Sequence, residues 1–380
     1  MQYRIFGNTG KKVSVLGFGA MRLPTSSHRQ QDVMEKEAIE IIRRAAEAGV
    51  NYFDTAYPYH SGRSEVVMGK ALTKKYRNEV YIADKFPSWL LKDRSDFDRI
   101  FAEQLKRLKT DRIDFYLMHA LNDHHWKKIK ETGILGELEK AKNDGRIGHI
   151  GFSFHDSLEV FKRIIDEYES WEFCQIQYNY MDVEIQAGTA GLEYAAAKNL
   201  GIVIMEPLRG GQLASVPPQP VQDAWNARPD GISLVEKALR FIWDREEVSL
   251  LLSGMTTMEQ LEDNLVIADR ARAGQLSEDD KALYDRVRGV FRELQPIPCT
   301  QCKYCMPCPS KVQIPDILKL YNESVMYNSL KESRRVYNYV MQPKNRADNC
   351  IECGQCEEAC PQNIEIMSWL KKAHEKLLFR

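Results

Sequence analysis

The chain lacks any apolar run near the roughly 20 residues that a membrane-spanning helix requires. Its longest apolar run, near residues 202–205, is typical of a short buried strand. An excess of charge of either sign is also lacking, because 53 lysines and arginines balance 54 aspartates and glutamates. Such a balance gives no electrostatic signal for a nucleic acid or an anionic membrane surface. We therefore expect neither a nucleic acid nor a membrane among the partners.

The first residues, Met1 to Phe6, lack the basic, apolar and small-residue regions of a secretory signal. An exported, disulfide-bonded protein is therefore not expected, and free thiols are typical of a reducing compartment. We predict a cytoplasmic location on these grounds. At 380 residues, the chain is long enough for more than one domain and for a substantial core.

Cysteine is scarce in most of the chain, since eight of the nine cysteines follow residue 298. They form two runs: Cys299, Cys302, Cys305 and Cys308 before Pro309, then Cys350, Cys353, Cys356 and Cys360 before Pro361. The second run has the spacing of bacterial ferredoxins, and the first is one residue short before its last cysteine. In that pattern three thiolates of a run hold one cubane, and the fourth binds the cubane of the other run. The two runs predict two [4Fe–4S] clusters.

Other uses of the two cysteine runs remain as alternatives. Eight cysteines could hold two zinc ions in closed tetrahedral sites, or the runs could be degenerate or disulfide-bonded. Zinc ribbons usually space their cysteines as two pairs rather than as unbroken triplets, which favours the iron–sulfur interpretation. Cys174 stands alone in an apolar run, and we expect it to be a small buried hydrophobic residue.

Short β-branched or aromatic runs alternate with stretches of helical period before residue 294. The predicted strands cover residues 15–19, 52–56, 80–85, 113–119, 149–153, 173–178, 202–206 and 249–254. Eight strands, each followed by a helix, predict an α/β fold of the (β/α)8 TIM-barrel type rather than an open sheet. A complete G-x-G-x-x-G dinucleotide fingerprint is lacking, because Arg22 replaces the third glycine after Gly17 and Gly19.

The two ends of the chain add smaller elements to this barrel. Residues 3–6 and 13–16 flank a glycine-containing turn and predict an N-terminal β-hairpin that closes the barrel floor. After residue 294 come the two cysteine runs, with helical stretches at 315–328, 330–342 and 366–377. We therefore predict a barrel domain over residues 1–294 and a small α-helical, ferredoxin-like 4Fe–4S domain over residues 295–380.

Polar residues stand at or just past the ends of three consecutive barrel strands. They are Asp54, Tyr59, Lys85 and His119. Each has a structural interpretation as well, as a turn cap, a packing residue, a solvated charge or a satisfied core histidine. Because chemistry in (β/α)8 barrels takes place at this face, their common position favours a catalytic role.

These residue types suit the reduction of a carbonyl group. Tyr59 could donate the proton if its pKa fell from near 10 towards neutrality. An ammonium about 4 Å away, at an effective dielectric of about 20, favours a phenolate by about 4 kcal/mol, so we expect Lys85 to lower that pKa. Asp54 would pair with Lys85 and offset part of this effect. His119 would orient the substrate oxygen and donate a hydrogen bond to it.

The segment from Tyr3 to Arg292 resembles the aldo-keto reductase superfamily. The resemblance rests on NYFDTAYPY at residues 51–59, ADK at 83–85 and DFYLMH at 114–119, and it matches the superfamily's Asp/Tyr/Lys/His tetrad to the four residues above. With its cysteine runs, the chain resembles the branch that carries a C-terminal 4Fe–4S ferredoxin-like domain. The resemblance implies an oxidoreductase that uses NADP or NAD and interconverts a small carbonyl compound and its alcohol.

The same resemblance implies a set of dinucleotide-binding residues. Ser153 and Gln175 match positions that hold the nicotinamide carboxamide, although Phe154 replaces the usual Asn, and Met205 stands where an aromatic ring usually stacks. The remaining matches are Pro207, Leu208, Arg209 and Gly210 at the pyrophosphate, and Ser253, Gly254, Gln260 and Asn264 at the adenosine phosphate. Gln260 replaces the Arg that often binds the 2′-phosphate, which weakens the case for NADP over NAD. NADP stays the favoured cofactor and NAD the alternative.

Three functions are compatible with these features. The first is a nicotinamide-dependent carbonyl reductase whose cluster domain is structural or caps the substrate pocket. The second is a redox enzyme whose clusters pass electrons to an external carrier, which would then be a further partner. The third is a redox-sensing binding subunit. Nicotinamide passes two electrons as a hydride, each cluster passes one, and no flavin motif is present, so the first is favoured.

The sequence leaves the substrate open among sugar-like ketones, small aldehydes and hydroxylated cyclic ketones. Tyr57, Trp89, Trp126, His60 and His155 could line a mixed polar and apolar pocket, or they could be packing residues.

Overall fold

A computed structural model describes residues 1–27, 29, 31–73 and 75–379. The first of its two compact units comprises Met1–Pro207 and Glu236–Leu276. After a hairpin of β1 (Tyr3–Ile5) and β2 (Lys12–Ser14), eight parallel strands close into a barrel in which each strand pairs with the next. The barrel strands are β3 (Leu16–Gly19), β4 (Tyr52–Asp54), β5 (Tyr81–Pro87), β6 (Ile113–Leu121), β7 (Ile147–Phe154), β8 (Phe173–Gln177), β9 (Gly201–Met205) and β10 (Leu250–Ser253). The predicted (β/α)8 barrel is confirmed.

Helices follow the barrel strands and continue into the C-terminal region. In chain order they are α1 (Glu35–Glu47), α2 (Arg63–Ala71), α3 (Lys75–Glu79), α4 (Asp96–Leu108), α5 (Asp123–Thr132), α6 (Ile134–Asn143), α7 (Leu158–Asp166), α8 (Gly188–Ala197), α9 (Gln219–Asn226), α10 (Leu234–Trp243), α11 (Met258–Asp269), α12 (Glu278–Glu293), α13 (Ile314–Met326), α14 (Leu330–Arg335), α15 (Gln355–Glu358) and α16 (Ile366–Leu377). In α1, Ala38, Ile41, Ile42 and Ala45 are buried, which is the spacing of a helix with one apolar face. No helix within the described ranges is long and apolar enough to cross a membrane.

The hairpin closes the end of the barrel where the strands begin. Phe6 is fully buried, and its ring lies 5.8 Å from Tyr52, 4.9 Å from Phe115 and 5.3 Å from Phe173 between centroids. At Gly7, with φ of +50°, a Cβ atom would lie 2.2 Å from the backbone nitrogen of Gly201, so this turn approaches β9 too closely for a side chain. The floor is therefore filled with aromatic rings, and the opposite end of the strands is left for chemistry.

The second unit comprises Leu208–Val235 and Ser277–Arg380. Its apolar core is contributed by α13, α16 and the segments around them, and it includes Ile297, Val312, Ile314, Ile317, Leu318, Tyr337, Ile364, Ile366 and Leu370. Six of the eight clustered cysteines pack against this core. The segment after β9 belongs to the same unit, where Trp225 of α9 stacks edge-on against Tyr284 of α12 at 5.3 Å. The C-terminal region is helical, as expected.

Candidate active site

A buried ion pair lies at the C-terminal end of two adjacent strands. Lys85 Nζ on β5 is 2.6 Å from Asp54 Oδ1 and 2.7 Å from Oδ2 on β4, and it also donates to the backbone oxygen of Thr55 at 2.8 Å. Lys85 is 0 % exposed and Asp54 2 %. The carboxylate of Asp54 raises the pKa of Lys85 against the opposing effect of burial. The ammonium group is therefore a fixed positive charge and not a solvated lysine.

Two of the strands that carry the site run further than the sequence pattern indicated. β5 extends to Pro87 and β6 to Leu121, so Lys85 and His119 lie within strands rather than just past them. The two strands stay paired as far as Pro87 opposite His119. Beyond it, β6 carries an irregularity in its pairing with β7, and Ala120 has a positive φ of 53°. His119 lies within this irregularity, and such irregularities re-aim side chains next to active sites.

Tyr59 opens a short 3-10 turn, Tyr59–Gly62, after β4. The ammonium of Lys85 lies 4.9 Å from the centroid of its ring. The expected fall in the pKa of Tyr59 is not found: burial raises this pKa above its ordinary value, and Lys85 opposes the rise only in part. Asp54 offsets the charge of Lys85, and the carboxylate of Glu206 adds to the rise. In the protein alone, the phenol thus keeps its proton at neutral pH.

His119 faces the same space. Its ring lies edge-on to Tyr59 at 6.0 Å and 5.1 Å from the ring of Trp89. Nδ1 of His119 is buried without a hydrogen-bond partner among the described residues, so it is not the satisfied core histidine of the alternative interpretation. Burial, and next the charge of Lys85, hold the pKa of His119 well below its usual range. The imidazole is therefore neutral at physiological pH and has an unused polar atom.

Three residues expected to hold the nicotinamide lie at the ends of neighbouring strands. Ser153 Oγ on β7 accepts from the backbone nitrogen of Ala120 at 2.8 Å, which leaves its hydroxyl hydrogen to donate elsewhere. Gln175 Nε2 on β8 lies 3.7 Å from the sulfur of Met205 on β9. Oε1 of Gln175 is buried, and nothing in the described part of the chain donates to it. A carboxamide, which both donates and accepts, fits these groups.

The residues expected at the adenosine phosphate surround the start of α11. Thr257 caps the helix by accepting from the Gln260 backbone nitrogen. Asn264 Nδ2 donates to Ser253 Oγ at 3.0 Å, and both side chains are buried. Oε1 of Gln260 accepts from the Thr256 backbone nitrogen at 2.8 Å. A Cβ at Gly254 would lie 2.8 Å from the Arg22 side chain. The helix start suits a phosphate, but Gln260 brings no charge to it.

The expected pyrophosphate loop begins in one unit and ends in the other. Pro207 is the last residue of its segment of the first unit, and Leu208, Arg209 and Gly210 belong to the second. Arg209 and Gly210 have positive φ angles of 50° and 64°. Within the second unit, Arg209 Nη1 lies 3.1 Å from Glu323 Oε1 on α13, and its guanidinium lies 4.6 Å from the ring centroid of Tyr327. The structure thus joins Arg209 to α13.

The cysteines sort into two groups that mix the two runs. A cavity of about 150 Å³ is lined by Cys350, Cys353 and Cys356 and also by Cys305 and Cys308 of the first run. Cys305 belongs with the other group as well, because Cys299, Cys302 and Cys360 act on its thiol and, after burial, raise its pKa. In the other group, burial raises the pKa of Cys299, and nearby Cys302 and Cys360 raise it further. Each group thus has three thiols of one run and the last thiol of the other, which is the ferredoxin pattern.

A single zinc ion requires its ligands to lie closer together than an iron–sulfur cluster does. Four thiolates on one zinc ion, at about 2.3 Å each, would bring the sulfurs within about 4 Å of one another. Over the described ranges, no three His, Cys, Asp or Glu side chains converge on one ion in this way. The donor set of each group is all sulfur, and the cavity lined by one group suits a cluster better than a single ion.

Cys174 is fully buried in β8, as expected, and burial raises the pKa of its thiol. Two residues near the site escaped the sequence interpretation. Glu206 follows β9 directly, has a positive φ of 58° and acts on Tyr59. Asp84 precedes Lys85 and is fully buried. The sequence held a signal for each of them: Glu206 is a carboxylate at the end of a barrel strand, and Asp84 is a carboxylate inside an apolar strand.

The fold and the site together define a (β/α)8-barrel protein with an appended cysteine-ligand unit. Comparison with known proteins names its family: residues 15–287 match the Aldo/keto reductase family, and residues 298–365 match a 4Fe-4S dicluster domain. The chain belongs to the aldo/keto reductase family of oxidoreductases and carries a C-terminal 4Fe-4S domain.

Relatives among known proteins and solved structures agree with this assignment. The chain is 28% identical over 286 residues to L-galactose dehydrogenase of Arabidopsis thaliana, covering 70% of this chain and 87% of that protein. It is 25% identical over 323 residues to the uncharacterized oxidoreductase YqkF of Bacillus subtilis, covering 76% and 97%. The solved aldo-keto reductase AKR11C1 from Bacillus halodurans (holo form) shares the fold, with a TM-score of 0.63, 24% identity and coverage of 76% and 96%.

Proposed function

We propose that the protein reduces a small carbonyl compound to its alcohol with NADPH or NADH, or catalyses the reverse reaction. One observation carries this proposal: the buried Asp54–Lys85 pair lies against Tyr59, beside an imidazole of His119 with an unused Nδ1. A proton donor, a fixed cation and a neutral hydrogen-bonding group at one point are what a developing alkoxide requires.

Each residue of this group has a separate part in the reaction. When bound, the reduced nicotinamide supplies a hydride to the carbonyl carbon. Tyr59, which keeps its proton at neutral pH because burial raises its pKa, donates that proton to the carbonyl oxygen. Lys85 then faces the phenolate that remains, and Asp54 holds Lys85 in place. The neutral imidazole of His119 orients the carbonyl oxygen, because it can present an N–H without carrying a charge.

We propose a dinucleotide site that starts from the available hydroxyl hydrogen of Ser153 and from Oε1 of Gln175, to which no described residue donates. Ser153 and Gln175 would hold the nicotinamide carboxamide and Met205 would contact its ring. Ser253, Gly254, Gln260 and Asn264 would hold the adenosine phosphate, and Pro207, Leu208, Arg209 and Gly210 the pyrophosphate. NADP is the favoured cofactor, although Gln260 supplies no positive charge for a 2′-phosphate, so NAD is the direct competitor.

The substrate we propose is a hydroxylated, sugar-like carbonyl or alcohol. Trp89 packs against His119, and the imidazoles of His125 and His155 lie near enough to act electrostatically on His119, so aromatic and polar groups stand side by side. Such a mixed lining suits a molecule with an apolar ring face and several hydroxyl groups. The relative that acts as an L-galactose dehydrogenase supports this class.

We further propose that the C-terminal domain, residues 295–380, holds two [4Fe–4S] clusters in a reducing, cytoplasmic compartment. One set of ligands would be Cys299, Cys302, Cys305 and Cys360, and the other Cys350, Cys353, Cys356 and Cys308. Each cluster, when bound, passes one electron at a time. The favoured role of this domain is structural or capping, and the passage of electrons to an external carrier is the alternative, since the crossed layout would bring two clusters close together.

The test is a turnover screen on anaerobically purified protein with a panel of sugars, aldehydes, cyclic ketones and the corresponding alcohols, and with NADP and NAD in parallel, reduced for the carbonyls and oxidised for the alcohols. We expect activity with at least one hydroxylated carbonyl, lost in Tyr59→Phe and kept in Tyr57→Phe, the matched control two residues away. The reductase proposal is wrong if neither nicotinamide changes its oxidation state while a substrate of the panel is oxidised and its electrons reduce a one-electron carrier. Full activity of Tyr59→Phe would rule out the assigned proton donor.

A further inference from the structure

Two buried carboxyl groups near Lys85 have no part in the proposed reaction. Asp84 precedes Lys85 in β5, Glu65 lies on α2, and both side chains are 0 % exposed. The two carboxyl groups lie close enough for each to act on the pKa of the other, and Oε1 of Glu65 is buried without a donor among the described residues. An ionised carboxylate can only accept a hydrogen bond, so the two can be joined by a hydrogen bond only if one of them carries a proton.

The surrounding donors decide which member carries it. Glu65 Oε2 accepts from Arg107 Nη1 at 2.6 Å and so has a cationic partner. The hydrogen bonds that Asp84 accepts come from neutral groups, the Lys85 backbone N–H at 2.8 Å and Gln104 Nε2 at 2.9 Å. No other group of the described chain donates to Oε1 of Glu65, and a protonated Asp84 would supply that donor.

The charges around the pair point the same way. Burial, and then the charge of Glu65, hold the pKa of Asp84 well above its ordinary value. The titratable and charged groups that face the two carboxyls are Lys85 on β5, Arg107 on α4 and Tyr116 on β6. Two ionised carboxylates cannot share a dry site with one arginine at low cost, so the pair carries a single negative charge.

We propose that Glu65 keeps Asp84 in its uncharged acid form, so that the ammonium of Lys85 faces one carboxylate, that of Asp54, instead of two. Asp84 and Glu65 are then positioning residues, which act through Lys85 on Tyr59 and touch no substrate. A second carboxylate beside Lys85 would weaken the attraction between its ammonium and the Tyr59 phenolate. This inference rests on the proposed role of Tyr59 as proton donor.

The arginine of this network offers a matched control. Arg107 pairs with Glu65 on one side and with Glu103 on the other, and its guanidinium lies 4.5 Å from the ring centroid of Tyr57. Glu103→Gln removes a carboxylate from the same arginine and leaves Glu65 and Asp84 in place. Any effect of Glu65→Gln that comes only from disturbing Arg107 should therefore appear in Glu103→Gln as well.

The protonation state is measured without turnover. Infrared difference spectra of the cluster-loaded protein at neutral pH, each variant against wild type, report the C=O stretch of a buried carboxylic acid. We expect this band in wild type and Glu103→Gln, and its loss in Asp84→Asn and Glu65→Gln. Absence of the band from wild type, or its persistence in Asp84→Asn or Glu65→Gln, would overturn the inference. Should Glu65→Gln fail to fold, the comparison of wild type with Asp84→Asn still decides it.

The consequence for catalysis is measured by rescue. Ionisation of Asp84 in Glu65→Gln should slow turnover about tenfold, the equivalent of one pK unit at Tyr59. The double variant Glu65→Gln/Asp84→Asn should recover that loss, because the amide that replaces the carboxyl group in β5 cannot ionise. A double variant as slow as Glu65→Gln would refute the charge argument. If wild type reduces no carbonyl at all, the proposed reaction fails, while the infrared result for the carboxyl pair still stands.

Discussion

Replacing only Lys85 of the Asp54–Lys85 pair should destabilise the barrel more than replacing both residues. Lys85→Met takes away the cation and leaves the carboxylate of Asp54 in a site that is 2 % exposed. Stranding one member of a buried ion pair costs about 3–5 kcal/mol, whereas replacing both members with uncharged groups is close to neutral. We therefore expect Lys85→Met to be strongly destabilised and Asp54→Asn/Lys85→Met to recover most of that loss.

The loss of stability in Lys85→Met should also depend on pH. Burial already raises the pKa of Asp54 in the folded protein, and Lys85 opposes that rise. Without Lys85 the folded state binds the proton of Asp54 more tightly than the unfolded chain does. Stability from a raised carboxyl pKa is present at low pH and is lost as the pH rises through the folded pKa. The deficit should therefore shrink as the pH falls towards the ordinary range of an aspartate.

Hydrogen exchange of peptides from β4, β5 and β6 is the suitable assay, because a two-unit protein with clusters does not unfold in one step. Activity is measured in parallel and should be lost in both variants, since neither has the cation beside Tyr59. Equal stability of Lys85→Met and wild type would refute the view of the pair as a fixed buried charge. A double variant that recovers activity would refute the role given to Lys85.

Three further outcomes follow from the same structure. Tyr59→Phe should lower turnover by about 10²–10⁴-fold without changing dinucleotide affinity, measured by steady-state kinetics and fluorescence titration. Because its pKa is lowered, His119 resists protonation in the folded protein. The stability of the barrel should therefore fall on acidification below the ordinary histidine pKa, by up to about 1.4 kcal/mol per pH unit. In pH-dependent unfolding, His119→Gln should remove this part of the pH dependence. Cys308→Ser should disturb the same cluster spectrum as Cys353→Ser, and Cys360→Ser the other one, in electron paramagnetic resonance; if each followed its own run, the crossed ligand sets would be wrong.

The barrel could be predicted because its signal is repeated. Eight apolar runs of strand length, each before a helical stretch, leave few alternatives to a closed parallel barrel, and the order β3 to β10 follows the chain. The ends of the strands were harder to predict. β5 and β6 continue past Lys85 and His119 because their pairing extends to Pro87, and this pairing is a property of two distant segments that neither shows alone.

The second unit shows a different limit. The cysteine spacing alone predicts both groups of ligands, because in the ferredoxin pattern three thiolates of a run hold one cubane and the fourth binds the cubane of the other run. No local pattern in the sequence predicts which residues the segment after β9 contacts. Trp225 packs on Tyr284 and Arg209 pairs with Glu323, and these contacts join residues about 60 and more than 100 positions apart in sequence.

The electrostatics of the active site depend on balances that residue types cannot give. The sequence correctly suggested that Lys85 pulls the pKa of Tyr59 down, yet burial outweighs that pull, and the result is a phenol that holds its proton. Burial of this extent follows only from packing. Because Tyr59 holds its proton, the charge beside Lys85 affects how readily Tyr59 can give that proton up. A further carboxylate beside Lys85 would make the phenolate still harder to form. This is why a neutral Asp84, one residue from Lys85 and out of reach of substrate, belongs to the account of how the site works.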